Sequence, residues 1–287
     1  MKTWMLIGLA LVWMGTGSLA GADPASDPRF FYHRLFKRIS YSEITRRAAE
    51  DIRLGRQQPL LPFVVKQEPP SIFVHFEIRP DRLGALIGAL GLPPGFQLVP
   101  IPVLEGDDPR FLISLNIYAV EGLGGALSGN RAEWSVYVSK DGGRPSFMVV
   151  EARASVFSLD SVNWFTRGTT LTHARGPGGI QSFVAADGGR FFQSVITTAG
   201  LASAVPVFAS ARWAAANDRI YWTDGVADRV YYDGLLVDTP LLSVAPSGLS
   251  FTDTTRWREF VFPEPVGVQV FQTALEFVIS PWYNVDR

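Results

Sequence analysis

Two alternating runs flanking Ser139-Lys140-Asp141-Gly142-Gly143 constrain this chain more than any other feature. Asp-Gly-Gly supplies residues that accept positive φ, so residues 131–138 and 146–157 are predicted to pair as a β-hairpin. Side chains alternate across a strand. In the first run Arg131, Glu133, Ser135 and Tyr137 share one face, and Ala132, Trp134, Val136 and Val138 the other. In the second, Phe147, Val149, Glu151 and Arg153 alternate with Met148, Val150, Ala152 and Ala154. Charges in the middle of apolar strands must be solvated, paired or lining a cavity.

With 287 residues, 47% of them hydrophobic, the chain can build one large β-rich domain or two small ones. A net charge of -1 gives no basis for a nucleic-acid partner or an anionic membrane surface. The absence of cysteine excludes thiolate catalysis, disulfides and cysteine-held metals together.

Residues 1–20 read as a signal peptide: Lys2, an apolar run over 4–13, then small residues ending in Ser18-Leu19-Ala20. Cleavage after Ala20 or Ala22 would send the mature protein to the periplasm or outside the cell, with no stable membrane insertion. Residues 21–70 form an N-terminal extension, in which Ser40-Tyr41-Ser42-Glu43 fits a capping box before an amphipathic helix over 44–53. A short strand is expected at 63–66, within a proline-rich loop. Residues 71–287 read as a single β-barrel-like domain. A strand at 71–78 precedes a short helix that opens at Pro80 and ends at Leu90. Strands are then expected at 96–103, 111–120, 131–138, 146–158, 169–173, 180–185, 191–198, 220–223, 229–232, 235–239, 248–252 and 269–278. The fold class is therefore mainly β, a large closed or double-sheet structure with a few short helices near the N-terminus.

The order of several features resembles a known superfamily. Leu92-Pro93-Pro94-Gly95-Phe96 enters a strand, followed by Leu115-Asn116-Ile117-Tyr118, a Glu133-bearing strand and a Met148-bearing strand. Next come Asp160-Ser161-Val162-Asn163-Trp164-Phe165 and, near the end, Pro263-Glu264-Pro265-Val266-Gly267-Val268. This pattern, over roughly 71–283, resembles the acetoacetate decarboxylase-like superfamily. The resemblance implies a closed β structure around a mostly apolar cavity, with Glu133 in the place of a cavity carboxylate. It also implies a Schiff-base lysine just after the Trp164 segment, which here reads Trp164-Phe165-Thr166-Arg167-Gly168-Thr169. The chain has no lysine beyond Lys140, and Lys140 falls in the hairpin turn. Arginine cannot replace an amine nucleophile, because its guanidinium stays protonated. The expectation is a divergent member without Schiff-base chemistry.

Glu133, Glu151 and His173 are the candidate acid–base residues, and Arg131, Arg153, Trp134 and Trp164 the candidate ligand contacts. An apolar setting raises a carboxyl pKa, and an arginine clamps a ligand carboxylate. The plain alternative for the charged residues is an outward-facing cross-strand salt bridge, and for His173 a strand-end position. His75 and Glu77 share a strand face, but a metal site needs more ligands than that pair supplies. No metal and no cofactor are expected. The expected partner is a small, mainly apolar organic acid or carbonyl compound, bound or turned over by a lyase, hydratase or isomerase. A lipocalin-like carrier role is the alternative, and a homo-oligomer remains open.

Overall fold

The computed structural model describes residues 63–103, 106–122, 127–155, 170–197, 202–204, 219–225, 227–232, 241–244, 248–271 and 275–281. The segments expected to form the 1–20 leader, the 44–53 helix and the 235–239 strand, and Trp164, lie outside this set.

The spine is β1 (Phe63–Glu77), which joins the strands expected at 63–66 and 71–78 across a bulge between Glu68 and Ile72. A 3-10 turn (Pro80–Arg82) and helix α1 (Leu83–Leu90) follow, with Gly91 in the left-handed conformation closing the helix. The strand expected over 96–103 shortens to β2 (Phe96–Leu98). Then come β3 (Leu112–Gly122), β4 (Leu127–Lys140) and β5 (Ser146–Ala154). The β4–β5 turn places Asp141 and Gly142 at φ 51 and 72, as Asp-Gly-Gly predicts.

After β5 the chain builds β6 (Leu171–Gly176), β7 (Gly179–Ala185) and β8 (Phe191–Ile196). Short strands β9 (Ala202–Ala204), β10 (Arg219–Trp222), β11 (Ala227–Tyr232) and β12 (Leu241–Val244) follow. The described chain ends with β13 (Leu249–Asp253), a 3-10 turn (Arg256–Glu259), β14 (Gly267–Phe271) and β15 (Leu275–Pro281).

These strands divide between two sheets, which is the double-sheet form of the expected fold. The eleven-stranded sheet runs β15-β11-β10-β5-β4-β3-β1-β14-β12-β9, with β2 paired to β4. The four-stranded sheet runs β13-β8-β7-β6. The β-barrel expectation is corrected. The large sheet curls back so that β15 meets residues 63–67 of β1, but it is not a closed barrel: residues 71–75 of β1 pair instead with β14, and the sheet runs on through β12 to β9.

One face of the large sheet is largely apolar. Ile72, Val74, Ile113, Leu115, Ile117, Trp134, Val136, Met148, Val268 and Val270 are buried there. Leu171, Ile180, Val184, Phe192 and Ile196 of the small sheet, with Leu86 of α1, pack in the same core. Burial of apolar area between the two sheets supplies the main driving force for the fold. Because the small sheet covers this face, the opposite face is the one enclosed by the curl.

Candidate functional site

The enclosed face carries the complementary half of the alternation, and much of it is polar. Ser71 and His75 of β1, Ser114 and Asn116 of β3, Arg131, Ser135 and Tyr137 of β4, and Gln269 of β14 are all buried. The registers Ser114↔Ser135, Asn116↔Glu133, Tyr118↔Arg131 and Phe73↔Gln269 put these residues on adjacent rungs of one surface. A purely structural sheet would be expected to bury apolar side chains here too, since each buried polar group must be matched by a partner.

Three groups of contacts satisfy most of this demand. The first is a neutral relay. Tyr137 Oη lies 3.1 Å from Ser114 Oγ, Ser114 Oγ lies 2.7 Å from His75 Nδ1, and His75 Nε2 lies 2.9 Å from Gln269 Oε1. With the amide oxygen toward the ring, His75 Nε2 donates to Gln269 and Nδ1 accepts from Ser114. Burial lowers the His75 pKa from 6.5 to about 4, against a smaller opposing effect from Gln269, so the ring is uncharged at neutral pH. Burial also pushes the Tyr137 phenol well above its usual range. The second group is ionic: Arg131 Nε and Tyr118 Oη, the latter at 3.2 Å, both donate to Glu133 Oε1. Among the described residues no donor reaches Glu133 Oε2. In the third, Ser71 Oγ is 3.0 Å from Gln67 Oε1 and 3.3 Å from Asn116 Oδ1. At the His75 end, Ile101 and Val103 pack with Leu112 and Tyr137 and plug the face.

The other residues proposed from the sequence lie elsewhere. Glu151 and Arg153 do not converge with Glu133 and Arg131. Trp134 pairs with Glu151 and Ser135 with Val149, so Val150 is an extra residue that reverses the alternation of β5. Glu151 therefore lies on the Trp134 face. Arg153 Nη2 donates to its Oε1 at 2.9 Å, and Arg256 Nε and Trp257 Nε1 donate to its Oε2 at 3.1 and 3.0 Å. Arg153 also reaches Asp187 at 2.7 Å. With both oxygens engaged, this carboxylate ties β5 to the 256–259 turn. Glu151→Gln keeps the shape and removes the charge. Its expected cost is about 1–2 kcal/mol in urea unfolding, the half-exposed Arg256 adding little. An unchanged midpoint would show that the clamp contributes nothing.

His173 is buried on the small sheet. Its Nδ1 is 2.8 Å from Ser182 Oγ and its Nε2 contacts the Pro70 carbonyl at the β1 bulge, bridging the two sheets. Trp134 is a core residue, 2% exposed. Sequence reasoning passed over His75, Ser114, Tyr137 and Gln269 as site residues. A usable signal was present: Ser71, His75, Ser114, Asn116 and Gln269 are polar residues at alternate places in otherwise apolar strands.

Lys66 pairs with Glu68, and Lys140 lies 5.7 Å above the Phe96 ring at the hairpin turn. Among the described residues no group of three or more His, Cys, Asp or Glu is arranged to hold a metal ion. No helix among them is long and apolar enough to cross a membrane.

No family model matches the chain, and no curated protein matches it. Solved structures similar to it include an acetoacetate decarboxylase-like enzyme from Sphingomonas wittichii RW1. That likeness has 13% identity and a TM-score of 0.41 over 77% of this chain and 91% of that one. An acetoacetate decarboxylase matches at 11% identity and a TM-score of 0.47, over 79% of this chain and 88% of that one. The acetoacetate decarboxylase of Legionella pneumophila subsp. pneumophila str. Philadelphia 1 matches at 11% and 0.43, over 79% and 86%. All three are described as acetoacetate decarboxylase or acetoacetate decarboxylase-like, the superfamily that the order of sequence features resembles. At these TM-scores the likeness adds no weight to any chemistry, which rests on the side chains.

Proposed function

We propose that the enclosed polar face binds a small organic acid or carbonyl compound, and that Glu133 acts on it as an acid–base group without Schiff-base chemistry. The observation that carries this reading is the state of the two candidate carboxylates. Glu151 has both oxygens engaged, whereas Glu133 is held through Oε1 and keeps Oε2 open on the polar face. A carboxylate fixed by one oxygen and open at the other is arranged for proton transfer. A lyase, hydratase or isomerase acting on a carbonyl compound is the matching reaction class. Binding without turnover, as in a carrier, is the second reading. It is favoured by His75, whose ring nitrogens are both hydrogen-bonded and which is uncharged at neutral pH. Export of the mature chain is part of the proposal, supported by the leader-like pattern of residues 1–20; fractionation of the source cells with N-terminal sequencing of the protein tests it.

Native mass spectrometry with release of bound molecules, followed by turnover assays on keto and hydroxy compounds, tests the site. Glu133→Gln retains an acceptor for Arg131 and Tyr118, so the fold should persist by circular dichroism while turnover falls about a hundredfold or more. Undiminished turnover in this variant would remove Glu133 from the mechanism. Absence of both a released ligand and turnover would overturn the binding site itself.

A further inference from the structure

The buried side-chain atoms without a hydrogen-bond partner, among the described residues, are Arg79 Nε, Arg153 Nε, Ser194 Oγ and Gln269 Nε2. Gln269 is the one on the enclosed face, and it has no exposed surface. Its Oε1 is committed to His75, which directs the unused Nε2 donor away from the relay. An orphaned amide donor in such a place is destabilising unless something accepts from it.

The register places this donor opposite Glu133 along one rung. Gln269 pairs with Phe73, Phe73 with Asn116, and Asn116 with Glu133. The rung thus reads amide, phenyl ring, amide, carboxylate across four strands. Adjacent strands are about 4.8 Å apart, so the two ends are separated by no more than about 14 Å. Phe73 stacks on His75 at 5.9 Å and tilts against Phe271 at 5.5 Å, which fixes an apolar floor between the ends.

We propose that Gln269 and Glu133 are the two ends of a single ligand subsite, which selects an uncharged hydroxy-carbonyl compound. Its carbonyl oxygen accepts from Gln269 Nε2, its hydroxyl donates to Glu133 Oε2, and roughly six to eight chain atoms lie between them over Phe73. The carbonyl end is uncharged because, among the described residues, no cation is hydrogen-bonded to Gln269: its partner His75 is neutral, and Arg131 donates to Glu133. A carboxylate at Gln269 would be buried without a counter-charge. This rests on the binding site proposed above and narrows its ligand.

The test is calorimetric titration of the whole protein with hydroxy-2-alkanones of increasing carbonyl-to-hydroxyl separation, beside hydroxycarboxylates of the same lengths. Expected are an affinity optimum at a separation of about six to eight atoms, tighter binding of the ketones, and about tenfold weaker ketone binding in Gln269→Met. Gln269→Asn keeps the amide but withdraws it by one methylene, so its optimum should move to a longer ligand. Carboxylate binding that is undiminished in Gln269→Met overturns this inference and leaves the site standing. Binding of no probe by either wild type or the variants overturns both.

Discussion

Gly179→Ala should lower the unfolding free energy by about 4 kcal/mol. Gly179 opens β7 directly after the Gly176-Pro177-Gly178 turn, at φ +117, a conformation that side chains rarely adopt. A Cβ there would lie 2.0 Å from the Ile196 carbonyl oxygen and 2.9 Å from its carbon. Both are backbone atoms of the neighbouring strand, since Ile196 pairs with Ile180. Relief would require pulling β8 away from β7, which would loosen Ile180 and Ile196 from the core between the sheets. Gly178→Ala is the control: its Cβ would meet nothing closer than Gln181 Nε2 at 3.9 Å. Urea denaturation should separate the two variants clearly. A Gly179→Ala protein within 1 kcal/mol of wild type, on the scale of an ordinary surface change, would mean that the β7–β8 register is not as described.

The second large effect is acid destabilisation through His75. The unfolded histidine binds a proton near pH 6.5, whereas the folded one is held to about 4. Between those values the unfolded state carries the extra proton, so stability is full above about pH 6.5, falls as pH drops, and levels off below about 4. The contribution is about 3 kcal/mol, since each pKa unit corresponds to about 1.4 kcal/mol. His173, whose pKa is also lowered mainly by burial, acts in the same direction. Asp253, raised mainly by burial, acts in the opposite one. Urea unfolding at pH 7 and pH 4.5 measures the sum, and imidazole nitrogen shifts of His75 in the folded protein isolate its share. A His75 ring that protonates near pH 6.5 while the protein stays folded would contradict the buried relay.

Local chemistry made the elements legible. Asp141-Gly142 set the hairpin turn, Pro80 opened the short helix and Gly91 closed it, and period-two alternation marked β3, β4 and β7 near their observed bounds. The role of the polar residues was harder to read. His75 reads beside Glu77 as part of a metal pair because the two share a strand face, whereas its actual partners, Ser114 and Gln269, stand 39 and 194 residues away in the chain. Only strand pairing brings such residues together.

The alternation of β4 thus fixed by itself that Arg131, Glu133, Ser135 and Tyr137 share one face. It could not fix which face of the sheet is enclosed, because that depends on where the small sheet packs. Nor could it show that Glu151 and Arg153 leave that face. A single unpaired residue, Val150, shifts the phase of β5 by one, and a shift of one in a period of two exchanges the faces. The bulge is a property of the pairing with β4, so only the tertiary structure decided that Glu133 lies on the enclosed polar face while Glu151 lies on the opposite face, bonded to the 256–259 turn.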